Sequence, residues 1–169
     1  MSRFLLWSAS FWVWSSVAVA GTQNPFRVDA TNAQLDAHGT GTVSVNVRVP
    51  KDHHLYRDMM SVQTQTVRFQ AAGLKKAPVL VAENDANHLT VGDPSFPPGF
   101  TKPDPADPSS TREQYDMDVV IDVPVTAAAI AGTYTLEFAV EYQGCKKSLC
   151  WMPQSDVVES TVTVREKSQ

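Results

Sequence analysis

Cys145 and Cys150 are the only cysteines of the sequence, set in the stretch EYQGCKKSLCWMPQS with four residues between them, two of them lysines. Two nearby thiols support three kinds of chemistry: a structural bridge, thiol–disulfide exchange, or half of a soft metal site. As a staple the pair is weak. Closing a loop of about six residues contributes about 2 kcal/mol through chain entropy, against nearly 5 kcal/mol for a loop of about 100. As an exchange pair it is better placed. Lys146 and Lys147 favour a thiolate over a thiol, and exposed bridges tend to be the labile, catalytic ones.

A metal site needs further ligands. His53 and His54 are adjacent, so on a strand they point to opposite faces and do not easily share one ion. His38 and His88 show no useful spacing. Met59, Met60 and Met152 leave open a copper(I) site built with the cysteines, the soft ligands that ion prefers. No cofactor is expected: the sequence holds no Walker loop, dinucleotide fingerprint or hydrolase triad signature.

The elements that position the cysteines read as strands. Val43, Val45, Val47 and Val49 alternate with polar residues, as do Met117, Val119, Ile121, Val123 and Val125. The clearest alternation is Tyr134, Leu136, Phe138, Val140 and Tyr142 against Thr135, Glu137, Ala139, Glu141 and Gln143. That is period two, with one apolar face per strand. SVQTQTVRFQ, APVLVAE and VVESTVTVRE are weaker versions of the pattern, and VTAAAIAG has room for one helical turn. About seven short strands of this kind predict an all-β, immunoglobulin-like antiparallel β-sandwich, without the long-range cysteine bridge of antibody domains. Continuing the parity past Gln143 puts Cys145 on the polar face, so a hairpin tip would present both sulfurs at the surface. Gly144 leaves room for a close backbone approach.

Residues 92–110, GDPSFPPGFTKPDPADPSS, carry six prolines and no alternation. Proline removes ladder donors, which predicts a long surface loop, either a tolerated insertion or a semi-rigid flap over the cysteines.

The first twenty residues have the layout of a secretory signal: Arg3, an apolar stretch from Phe4 to Val17, then Ala18-Val19-Ala20 before Gly21. Residues 21–169 are then the mature domain, one domain's length. Loss of Arg3 leaves 13 Lys and Arg against 18 Asp and Glu, a net charge of −5. Modest acidity without a basic run argues against a nucleic-acid partner. No later stretch is apolar and long enough to cross a membrane. An exported chain leaves its cysteines free to be oxidised.

YQGC followed by a short spacer and C-aromatic-x-P resembles the N-terminal periplasmic domain family of DsbD, the transmembrane thiol:disulfide interchange reductase. The LYR of residues 55–57, the FPPG of 96–99 and the VPV of 123–125 support the resemblance in wording and order. It runs from about Phe26 to Val164. The resemblance implies an immunoglobulin-like fold and a periplasmic disulfide shuttle. Its donor is a membrane thiol reductase with a thioredoxin-like domain; its acceptors include disulfide isomerases and the thioredoxin-like proteins of cytochrome c maturation. Cys145 and Cys150 become the redox pair by position, with Cys150 forming the mixed disulfide and Cys145 resolving it. Tyr56 would lie beside them.

Three departures stand out. The spacer between the cysteines is one residue shorter, which requires a different turn. The family's capping phenylalanine is missing from KPDPADPSS, leaving Phe100 as the nearest substitute to cover the sulfurs. The sequence ends at Gln169, so a donor would be a separate protein, and the domain is expected to be a monomer. The rival reading is a non-catalytic exported binding or copper-handling module that keeps the bridge for local rigidity.

Overall fold

The computed structural model describes residues 23–36, 39–73, 77–81, 88–105, 107–128 and 130–165. The expected signal sequence of residues 1–20 and His38 lie outside these. In chain order the strands begin with β1 (Arg27–Ala30), β2 (Ala33–Gln34), β3 (Thr40–Arg48), β4 (His53–Tyr56) and β5 (Ser61–Ala71). They continue with β6 (Val79–Val81), β7 (Leu89–Val91), β8 (Phe100–Pro103), β9 (Thr111–Tyr115) and β10 (Val119–Ala127). The last are β11 (Gly132–Tyr142), β12 (Gly144–Lys146), β13 (Leu149–Cys150) and β14 (Gln154–Val164). A 3-10 turn, Arg57–Met59, follows β4.

The strands form three sheets, ordered β1-β3-β10-β7, β2-β14-β11-β5-β6 and β13-β12-β4-β9-β8. All pairings are antiparallel except the short β2–β14 contact. The first two sheets are the layers of an immunoglobulin-like sandwich. Their inner faces are the alternating residues of the sequence: Val43, Val45 and Val47 of β3, Val119, Ile121, Val123 and Val125 of β10, and Tyr134, Leu136, Phe138 and Val140 of β11 are all buried. Met117 does not join them. It precedes β10 and is exposed. The segment VTAAAIAG forms no helix among its described residues; β10 continues through Ala127.

β5 is a full-length strand whose pattern is hidden in the sequence. Its register against β11 slips between Glu137 and Phe138, which pair with Thr66 and Thr64 and leave Gln65 unpaired. Such a bulge inserts one residue and reverses the parity. Val62 is therefore buried on one side of it, and Val67 and Phe69 on the other.

Residues 92–110 depart from the predicted loop. Gly92 and Ser95 hydrogen-bond the edge of β10, at Pro124 and Asp122. The chain then turns into β8, which pairs with β9 from Phe100↔Gln114 to Pro103↔Thr111. Proline is tolerated here because β8 is the outermost strand of its sheet, where a missing N–H costs no ladder bond.

Candidate functional site

The site is built where the chain changes sheets. β11 belongs to the second layer, and after Gln143 the chain enters β12 in the third sheet. This switch resets the parity, which corrects the expectation that both sulfurs face solvent. Cys145 is 0 % exposed, while Cys150 is only half-buried. Gly144 makes the switch possible, though through a ring rather than a backbone. A Cβ on Gly144 would lie 2.0 Å from the Phe26 ring. Phe26 is itself held edge-on by His53, Tyr142 and Trp151.

β12 and β13 form a hairpin with Cys145 opposite Cys150 and Lys146 opposite Leu149. The disulfide joins the first of these pairs. The short spacer leaves Lys147 and Ser148 as a two-residue turn. Lys147 has φ 55, the positive value that tight hairpins require and that non-glycine residues adopt at some cost. The Trp151 N–H donates to the Gly144 carbonyl at 2.9 Å, closing the base of the hairpin. Lys146 and Lys147 are exposed, as are Leu149 at 72 % and Met152 at 79 %. A charged and apolar rim therefore surrounds Cys150.

The other edge of β12 pairs with β4, with Cys145 opposite His54 and Lys146 opposite His53. Adjacent residues of β4 divide between its faces, as the sequence implies. His53 stacks on Trp151 on the core side, with ring centroids 5.3 Å apart. His54 takes the face of Cys145 and meets Tyr56 edge-on at 5.1 Å. No group of three or more His, Cys, Asp or Glu gathers into a metal site among the described residues.

Tyr56 is buried on this same face, and its hydroxyl donates to Asp104 at 2.8 Å. Burial first, then that carboxylate, push its phenol up to about 12. The Arg112 guanidinium covers the Tyr56 ring at 3.8 Å and donates to both oxygens of Asp58 at 2.5 and 2.6 Å. Its second partner is Asp104, at 3.8 Å. Asp104 opens a tight turn, accepting from the Asp107 N–H and donating its own N–H to Ser110. The proline-rich segment is thus pinned to the strand beside Cys145. Nothing in the sequence pointed to Asp104 or Arg112, because their partners lie 48 and 54 residues away.

Phe100 is not brought onto the sulfurs. It lies on β8 and is 47 % exposed, with β9 and β4 between it and β12. Three strand spacings amount to about 14 Å. Its ring instead meets the Lys102 ammonium. Phe100→Ala is therefore expected to leave the rate of disulfide reduction by dithiothreitol within about twofold of the parent, since access to the sulfurs is unchanged. A several-fold acceleration would restore it as a cap.

The family model for the N-terminal region of the thiol:disulfide interchange protein DsbD matches residues 22–162. The chain belongs to the DsbD N-terminal family. Among solved structures it is similar to the reduced N-terminal domain of Neisseria meningitidis DsbD, at 18 % identity and TM-score 0.44, covering 79 % of this chain and 87 % of that one. It is similar also to that domain in complex with the PilB N-terminal domain, at 20 % identity and TM-score 0.44, covering 77 % and 80 %. The PapD-like domain 7 of human CEP192 shares the fold at 9 % identity and TM-score 0.51, covering 94 % and 100 %. No curated protein matches the chain. Membership of the DsbD N-terminal family makes thiol–disulfide exchange the chemistry of the domain and the periplasm its family setting. No helix among the described residues is long and apolar enough to cross a membrane.

Proposed function

We propose that residues 1–20 are a cleaved export signal and that residues 21–169 pass reducing equivalents through Cys145 and Cys150. The donor is a membrane or thioredoxin-like reductase, and the acceptors are thioredoxin-like periplasmic proteins. The unequal exposure of the two cysteines carries the assignment of roles. Cys150 is half-buried at a hairpin tip with Leu149 and Met152 exposed around it, while Cys145 is sealed beneath. An incoming sulfur reaches Cys150 first.

In the oxidising half-reaction the Cys150 thiolate attacks an acceptor disulfide, forming a mixed disulfide and releasing one acceptor thiolate, which takes up a proton. Cys145 then loses its proton and attacks the Cys150 sulfur. The mixed disulfide breaks, the Cys145–Cys150 bond forms, and the second acceptor thiolate leaves and is protonated. Two electrons and two protons have moved to the acceptor. The donor reverses the same steps. Lys146 and Lys147 lend positive potential to the thiolates, and the Leu149–Met152 rim supplies apolar contact to the docked partner.

A redox titration against thioredoxin-like couples tests this reading. The expected midpoint lies within their range, about −180 to −270 mV. A value well below about −300 mV would instead support the structural bridge of a binding or copper-handling module.

A further inference from the structure

We propose that His54 is the base that takes the proton from Cys145 when the mixed disulfide is resolved. The inference rests on the exchange roles proposed above and adds a proton acceptor to them.

The placement comes from register. His54 and Cys145 are direct cross-strand partners, and such neighbours share a face with Cβ atoms about 4.5–5.5 Å apart. His54 is 7 % exposed, and its Nε2 is buried without a hydrogen-bond partner. An unpaired buried polar atom is costly, and native proteins keep few of them without a reason. In the disulfide state the neighbouring sulfur has no proton to give. In the dithiol state, and in the mixed disulfide on Cys150, Cys145 carries an S–H, a donor on the face that His54 shares. In our proposal that donor is the partner of the nitrogen which the disulfide state leaves unsatisfied.

The surroundings keep the ring neutral. Burial lowers the His54 pKa below 6.5, partly opposed by Asp104 and Asp116 and assisted by Lys102 and His53. These reach it from the turn after β8, the end of β9, β8 and its own strand. Cys145 faces it from β12, and Tyr56, with Arg112 over its ring, flanks it along β4. At neutral pH the imidazole is therefore a free base. The balanced step is transfer of the Cys145 proton to His54, attack of the thiolate on the Cys150 sulfur, and departure of the partner thiolate, which recovers the proton from the imidazolium directly or through water.

The gain has a ceiling. A thiol of ordinary pKa, about 8.5, is about 3 % ionised at pH 7, so assistance in forming the thiolate is limited to about 30-fold. The probe is dithiobis(2-nitrobenzoate) added to the fully reduced protein. Attack by Cys150 releases one thionitrobenzoate, and resolution by Cys145 releases a second. In His54→Phe and His54→Gln the first release should keep its rate, while the second slows about 10- to 30-fold at pH 7. The deficit should shrink as pH rises and the thiol ionises unaided. Should the phenylalanine variant fail to fold by circular dichroism, the glutamine variant decides. A second release that is unchanged, or slowed by the same factor at every pH, overturns the role of His54. Failure of the parent protein to release a second equivalent would instead remove the exchange reading itself.

Discussion

Cys145→Ala is expected to accumulate a stable covalent complex with a thioredoxin-like partner, whereas Cys150→Ala accumulates at least about tenfold less. Exchange proceeds through a mixed disulfide that persists when the resolving thiol is absent. With Cys145 gone, half-buried Cys150 still meets the partner and nothing displaces it. With Cys150 gone, the remaining thiol is fully buried between β4 and the hairpin turn. Access is one of the terms that set exchange rates, so this variant should react slowly as well as fail to turn over. Both variants should lose catalytic reduction of the partner to background. The measurement is the mass of the adduct after incubation of each reduced variant with an oxidised thioredoxin-like domain, followed by non-reducing electrophoresis. Equal trapping by the two would remove the assignment of roles. It would also mean that the burial of Cys145 is lost whenever the bridge opens.

The sandwich was legible wherever period two ran unbroken. β3, β10 and β11 each bury the residues their alternation selects, because both layers leave one face of these strands to the core and the other to solvent. β5 read as weak for a physical reason. The unpaired Gln65 shifts the pattern by one, so neither half looks long enough alone. The opposed faces of His53 and His54 were also open to local reasoning, whereas the place of Tyr56 beside the cysteine-bearing strand came only from the family resemblance. The face of Cys145 was not. Parity extrapolated from Tyr142 assumed one continuous strand, and only the third sheet breaks it. His54 and Asp104 were beyond reach for a related reason. Their significance lies in cross-strand register and in a turn closed from a distant segment, neither of which leaves a periodic trace. The proline content of residues 92–110 read as a loop rather than a strand, yet Phe100–Pro103 form an edge strand, since an edge asks for half as many donors.

The glycine before Cys145 should prove as consequential for the fold as the cysteines are for the chemistry. Gly144→Ala places a methyl group 2.0, 2.2 and 2.8 Å from three atoms of the Phe26 ring, far inside contact distance. The ring cannot swing aside cheaply, because His53, Tyr142 and Trp151 pack around it. Overpacking of this kind costs about 1–3 kcal/mol, and the constrained ring puts the expectation at about 3 kcal/mol. For a chain of this size that corresponds to a fall of about 6–12 °C in the thermal midpoint. Phe26→Ala alone should cost about 3–5 kcal/mol, through lost burial and a cavity. The informative variant is the pair. If the methyl and the ring compete for one space, the double substitution should be milder than the sum of the singles by about 1–3 kcal/mol, the coupling expected of residues in contact. Denaturant unfolding of the four proteins measures it. Strict additivity would mean that Phe26 and Gly144 do not share that space, and that the residue before Cys145 is glycine for the backbone path from β11 into β12 alone.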